Sequence, residues 1–136
     1  ARLPAPFDWV VHCVSSTGGS AEDYRQVYLQ GTLNLIERLA AAPPKKFVYT
    51  SSTSVYGQTD GSLVKETSPR EPSVETGRVL VETENVLLEA AQHTALPTVI
   101  LRVAGIYGPD RGHIRSCGNG LYGDAGLHGS GVMAEF

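Results

Sequence analysis

Apolar and polar positions along this chain follow two rhythms. Trp9-Val10-Val11-His12-Cys13-Val14, Phe47-Val48-Tyr49 and Pro97 to Val103 (PTVILRV) are short, unbroken apolar runs rich in β-formers. Such runs are too short for helices and suit strands buried on both faces. Between them lie two stretches of helical period. The first runs from Ala21 to Ala41, with Tyr24, Val27, Tyr28, Leu33, Leu35, Ile36 and Leu39 as a broad apolar stripe. Ser20 is placed to cap it, Glu22 and Asp23 suit its first turn, and Pro43-Pro44 stop it. Gly31 inside this helix costs about 1 kcal/mol against alanine, which predicts a close approach to the sheet as compensation. The second helix spans Thr76 to His93. Arg78, Glu82, Asn85, Glu89 and Gln92 line its polar side, and Val79, Thr83, Val86, Leu87, Ala90 and Ala91 its buried one.

Residues 58–73 carry Pro and Ser clusters without period and read as a surface loop. The order strand, helix, strand, loop, helix, strand implies an α/β fold with parallel strands joined by crossovers. All three strand exits then open on one edge of the sheet, and each is small or polar. They are Ser15-Ser16-Thr17-Gly18-Gly19, the hydroxyl run Thr50 to Ser54 closed by Val55-Tyr56-Gly57, and Ala104-Gly105-Ile106-Tyr107-Gly108-Pro109. Open α/β sheets bind ligands in such a crevice at the carboxyl ends of their strands. The competing explanation is that these hydroxyls only bond nearby backbone, as in any Ser/Thr-rich turn.

Composition narrows the function classes. A chain of 136 residues makes one domain, and its net charge of -3, without long runs, suggests neither a nucleic acid nor an anionic membrane as partner. Cys13 and Cys117 have no metal-binding spacing, and the four histidines are scattered, so no metal site is expected. No apolar run has membrane length, and ARLPAPFDW lacks a signal-peptide core. A reducing, cytoplasmic setting follows. Residues 116–136 hold six glycines with neither a strand before nor a helix after them, so they are expected to be loop or disorder without functional weight.

Four segments in order carry a family resemblance: Trp9-Val10-Val11-His12, Gly31-Thr32-Leu33-Asn34-Leu35, Phe47 to Ser52 with Val55-Tyr56-Gly57, and Leu101 to Pro109. Together they resemble the extended short-chain dehydrogenase/reductases, the NAD-dependent epimerase/dehydratase group, over about Phe7 to Arg111. The resemblance implies a Rossmann-type, doubly wound parallel sheet, of which residues 1–115 would be the second, C-terminal half. It implies NAD or NADP as cofactor, with Val14, Ser15, Thr50, Ser51, Ala104, Gly105 and Ile106 lining its site. It also implies a small-molecule substrate, a sugar nucleotide or a simple carbonyl or alcohol. A homodimer through the two helices is compatible with their partly apolar faces.

In this family a Ser or Thr orients the substrate oxygen, a Tyr serves as acid/base, and a Lys four residues later lowers that Tyr's pKa. Ser52 matches the first. Gly77 and Glu84 fall into register with the second motif, which puts Thr76 at the Tyr position and Leu80 at the Lys position. Tyr28 stands where the family often has Asn. No tyrosine lies between Tyr56 and Tyr107, and no lysine follows Lys65. The chain therefore resembles an atypical branch of the superfamily. Thr76 and Arg78 would lie near the nicotinamide, with Arg78 stabilising negative charge. The competing assignments are a helix N-cap for Thr76 and a solvated helix charge for Arg78. The family's glycine-rich first loop and ribose-reading residue have no counterpart here, which implies a partial chain and leaves NAD against NADP open. Two functions are consistent with these residues: an NAD(P)-dependent oxidoreductase or epimerase-like enzyme, and a non-catalytic NAD(P)-binding regulatory or scaffold protein. An inactive fragment is the third option.

Overall fold

The computed structural model of this chain describes residues 6–94, 96–106 and the backbone of 132–135. Its centre is a four-stranded sheet in the order β1 (Trp9–His12), β2 (Lys46–Ser52), β3 (Thr98–Val103) and β4 (Val132–Glu135). The first three are parallel, in the register Val11↔Val48 and Val48↔Val99. This is the α/β architecture that the alternation of elements implies. β4 runs antiparallel to β3, pairing Val103 with Val132. Within 116–136, expected to be loop or disorder throughout, four residues thus form a strand. Their pairing uses the open backbone edge of β3, which no side-chain period reveals. The glycines of that stretch, and Tyr107-Gly108-Pro109, lie outside the described residues.

Helices cover one face of the sheet. Phe47 and Tyr49 of β2 and Ile100 of β3 meet Leu39, Leu87 and Leu96 in the main core cluster. Leu39 closes α2 (Gly31–Leu39), and Leu87 belongs to α3 (Glu75–His93). Along β2 burial alternates strictly, with Phe47, Tyr49 and Ser51 buried and Lys46, Val48, Thr50 and Ser52 half-buried. Trp9 and Val11, on that second face, are 65% and 58% exposed. Val99 of β3, on the same face, is 7% exposed, so among the described residues burial on both faces holds toward β3 and not at β1.

The first helical stretch is continuous in position but not in pitch. α1 (Ala21–Tyr24) opens with a capping box between Ser20 and Asp23, a π-helical segment (Arg25–Gln30) follows, and α2 completes it. Gly31 shows normal right-handed angles, φ -58° and ψ -42°. A Cβ there would meet just the Gln26 carbonyl oxygen at 3.8 Å, so the expected close approach to the sheet is absent. Gly31→Ala should therefore stabilise the protein by up to about 1 kcal/mol, read as a higher urea midpoint at unchanged m-value. A loss of stability would show that the π-helical segment needs glycine's freedom.

β1 contributes a buried group that the sequence pattern passed over. His12 pairs with Tyr49 on the covered face, and its Nε2 lies 3.1 Å from Thr32 Oγ1. Its ring packs 5.5 Å from Tyr49 and 6.3 Å from Phe47. Burial lowers its pKa from the ordinary value of 6.5, because the charged ring would lose its hydration. The unfolded chain then takes up a proton below about pH 6.5 that the native state refuses, so stability falls as pH drops through that range. Urea unfolding at pH 7.5 and 5.5 should show this loss. His12→Gln should flatten it, and an unchanged slope in that variant would assign the loss to other groups.

Candidate functional site

Because β1, β2 and β3 are parallel neighbours, their carboxyl ends open on one edge, as the element order requires. The β1 exit is a built turn. The Ser16 hydroxyl donates to the Gly18 carbonyl at 2.8 Å and accepts the Gly18 N–H at 3.1 Å. Val14 and Ser15 precede it on the surface, Val14 being 58% exposed. On the β3 side Ala104 is half-buried, Gly105 exposed, and Ile106 73% exposed. Two bare apolar side chains thus flank a row of hydroxyls, a lining suited to a flat, partly polar ligand.

The β2 exit sorts its hydroxyls by strand parity. Thr50 and Ser52 lie on the half-open face. Ser52 has extended backbone and caps the 3-10 turn Thr53–Val55, its Oγ accepting the Ser54 N–H at 3.1 Å. The hydroxyl proton of Ser52 is left to donate elsewhere. Ser51 points the other way, is buried, and donates to Glu84 Oε1 at 2.6 Å. Its side chain serves the core rather than the crevice.

α3 reaches this exit through Gly77. A Cβ on Gly77 would come within 2.7 Å of the Ser54 carbonyl oxygen and 2.6 Å of the Pro72 Cβ, so the first turn of the helix sits directly on the turn after Ser52. Thr76 is half-buried at the second position of α3. It is not the N-cap: Val74 occupies that place, without a side-chain capping bond. Arg78 is exposed and bonds Glu75 Oε2 at 2.9 Å, a pair one turn apart on the helix surface. Arg25 of the π-helical segment bridges to Glu82 at 2.7 Å and to Glu75 at 3.4 Å. These are solvated ion pairs of small energetic weight. The structure brings Ser52 and Thr76 to neighbouring elements and turns Arg78 toward Glu75. Leu80, expected from the resemblance at the lysine position, is 3% exposed among Val55, Tyr56, Tyr24 and Tyr28.

Sequence pattern missed the polar network beneath this floor. Glu84 and Arg102 are 0% and 1% exposed. Arg102 Nη2 donates to Glu84 Oε2 at 2.9 Å and its Nε to both carboxylate oxygens at 3.2 Å. Its Nη1 donates to the Tyr56 hydroxyl at 2.8 Å and the Glu66 carbonyl at 3.0 Å. Arg70 adds a 2.9 Å bond to Glu84 from the loop. The network ties β3, α3, the Ser52 turn and the 58–73 loop together. A usable signal existed: an arginine in an apolar strand run and a glutamate in register with a buried helix face are expected to find each other. Among the described residues no cluster of His, Cys, Asp and Glu could hold a metal ion, and no helix is long and apolar enough to cross a membrane.

Comparison with known proteins follows the same geometry. The family model described as NAD dependent epimerase/dehydratase family matches residues 2–119. Protein YeeZ of Escherichia coli K12 is 43% identical over 86 residues, covering 63% of this chain and 30% of YeeZ. UDP-glucose 4-epimerase of Vibrio cholerae is 32% identical over 111 residues, covering 74% of this chain and 33% of that protein. Among solved structures, UDP-glucuronic acid 4-epimerase from Bacillus cereus in complex with NAD superposes with a TM-score of 0.66 at 28% identity, over 75% of this chain and 34% of that one. The chain thus spans about a third of the length of the relatives it matches.

Proposed function

This chain belongs to the NAD dependent epimerase/dehydratase family, and from that premise we propose that the protein binds NAD at the shared strand edge and acts as an epimerase-like oxidoreductase on a sugar nucleotide or a small carbonyl or alcohol. The observation that carries this reading is the meeting of the Ser52 turn with the first turn of α3 beside two other exits of the same sheet. Bound NAD would accept or return a hydride at a substrate carbon. Val14, Ser15, Thr50, Ala104, Gly105 and Ile106 would line its site. Ser52 would donate its free hydroxyl proton to the substrate oxygen and so fix its orientation. Thr76 would border the same space. Its alcohol is too weak an acid to deliver a proton as a phenol beside an ammonium does, so the proton would come from water or from the substrate itself. A cytoplasmic setting and a dimer through the outer faces of α2 and α3 belong to the same proposal. The exposed free thiol of Cys13 fits the first, and the 40% exposed Leu33 of α2 fits the second.

One observation favours a second reading. Leu80 is sealed in an apolar cluster where the family's lysine would stand, which suits a protein that holds NAD without proton transfer. NADH fluorescence titration of the intact protein tests binding first. A turnover screen across sugar nucleotides and simple carbonyls then separates the two readings. For an enzyme, Ser52→Ala should lower kcat/KM about tenfold, the worth of one hydrogen bond to substrate. Binding without turnover selects the non-catalytic reading, and absence of NADH binding removes both.

A further inference from the structure

Four tyrosines are described, and two lie away from the strand exits or hold their bonds elsewhere. Tyr49 is 0% exposed beneath the helices. The Tyr56 hydroxyl donates to the Lys65 carbonyl at 3.0 Å and accepts Arg102 Nη1 at 2.8 Å. Tyr24 and Tyr28 remain, their rings 4.8 Å apart and packed against Val55, Tyr56 and Leu80. Tyr28 reaches a strand exit: its hydroxyl oxygen accepts the Ser16 N–H at 3.3 Å. A phenol holding one such bond keeps its own proton and a second lone pair. The Ser16 hydroxyl is already occupied by Gly18 in both directions. At the β1 exit, Tyr28 is therefore a donor held in place by helix packing rather than by the loop, two residues from the bare side chain of Val14.

We propose that Tyr28 is a further ligand-contacting residue, whose hydroxyl donates a hydrogen bond to the carboxamide oxygen of a nicotinamide ring seated against Val14. This rests on the NAD-binding reading above. A flat ring with one amide needs an apolar wall and a single well-aimed polar partner, and this exit supplies both. Leu80, from the buried cluster against which Tyr28 packs, carries no charge. Tyr28 orients the ring and does not act as an acid.

The test compares NADH with ADP-ribose, which lacks the nicotinamide, on the intact protein and its Tyr28→Phe variant. Fluorescence titration reads the first ligand and calorimetry the second. The expected result is an NADH Kd about tenfold weaker in the variant, the equivalent of one hydrogen bond, with the ADP-ribose Kd unchanged within about twofold. Equal NADH affinity in both proteins overturns the assignment. So does parallel weakening toward both ligands, which marks a structural effect through Ser16. Should Tyr28→Phe fail to fold, Tyr28→Met carries the same comparison. A native protein that binds neither ligand defeats the NAD reading itself, whereas one that binds both and ignores the substitution defeats this assignment alone.

Discussion

Glu84→Ala will destabilise the protein by about 3–5 kcal/mol, a large share of the stability of an ordinary domain. The substitution leaves the Arg102 guanidinium in a site 1% exposed to water, facing the place its carboxylate occupied. It also strips Ser51 of its 2.6 Å acceptor and Arg70 of one of its two 2.9 Å partners, the other being Asn85. The size of the loss comes from burying the guanidinium without its carboxylate, not from the intrinsic strength of the pair. Removing both charges, as in Glu84→Leu with Arg102→Met, should therefore cost less than the sum of the single changes. The Tyr56 hydroxyl and the Glu66 carbonyl would still lose the bonds from Arg102, so full recovery is not expected. Urea unfolding of the four proteins measures the coupling. Additive losses would mean that water reaches the site and that the pair is not buried as described.

Gly77→Ala is expected to cost about 1–3 kcal/mol and, more tellingly, to separate the two halves of the candidate site. The added carbon would press on the backbone oxygen of Ser54 and on the ring of Pro72, neither of which can rotate away as a flexible side chain would. Relief requires the first turn of α3 to move off the Ser52 turn, carrying Thr76 with it. If substrate contacts span both elements, kcat/KM should fall by more than the stability loss alone explains under conditions where the variant is still folded. Gly31→Ala serves as the control, since a Cβ there meets nothing closer than 3.8 Å. A Gly77→Ala variant as stable as the native protein would show that the helix does not rest on the turn.

The contrast between these two glycines shows what the amino-acid order by itself determined. Unbroken β-forming runs, helical periods and the Pro43-Pro44 stop were enough for the element order as far as β3, and that order requires parallel strands with their exits on one edge. The Thr50 to Ser54 hydroxyls and the missing Tyr and Lys were equally legible, because such motifs are local. Other features depended on which elements touch. Strand parity separates Ser51 from Ser52, but the sheet face that is covered is decided by where α2 and α3 pack. Gly31 and Gly77 both look like helix glycines, and packing alone distinguishes an open surface from a tight contact. Arg102 reads as an interruption in an apolar strand, and Glu84 as a helix carboxylate that marks a motif's register. They become a pair, 18 residues apart in the chain, when β3 and α3 exclude water from both at once. Periodicity reports how a residue sits relative to its own element's axis. The free energy of burying a charge is set by what the neighbouring elements bring to it, and that is a property of the tertiary structure.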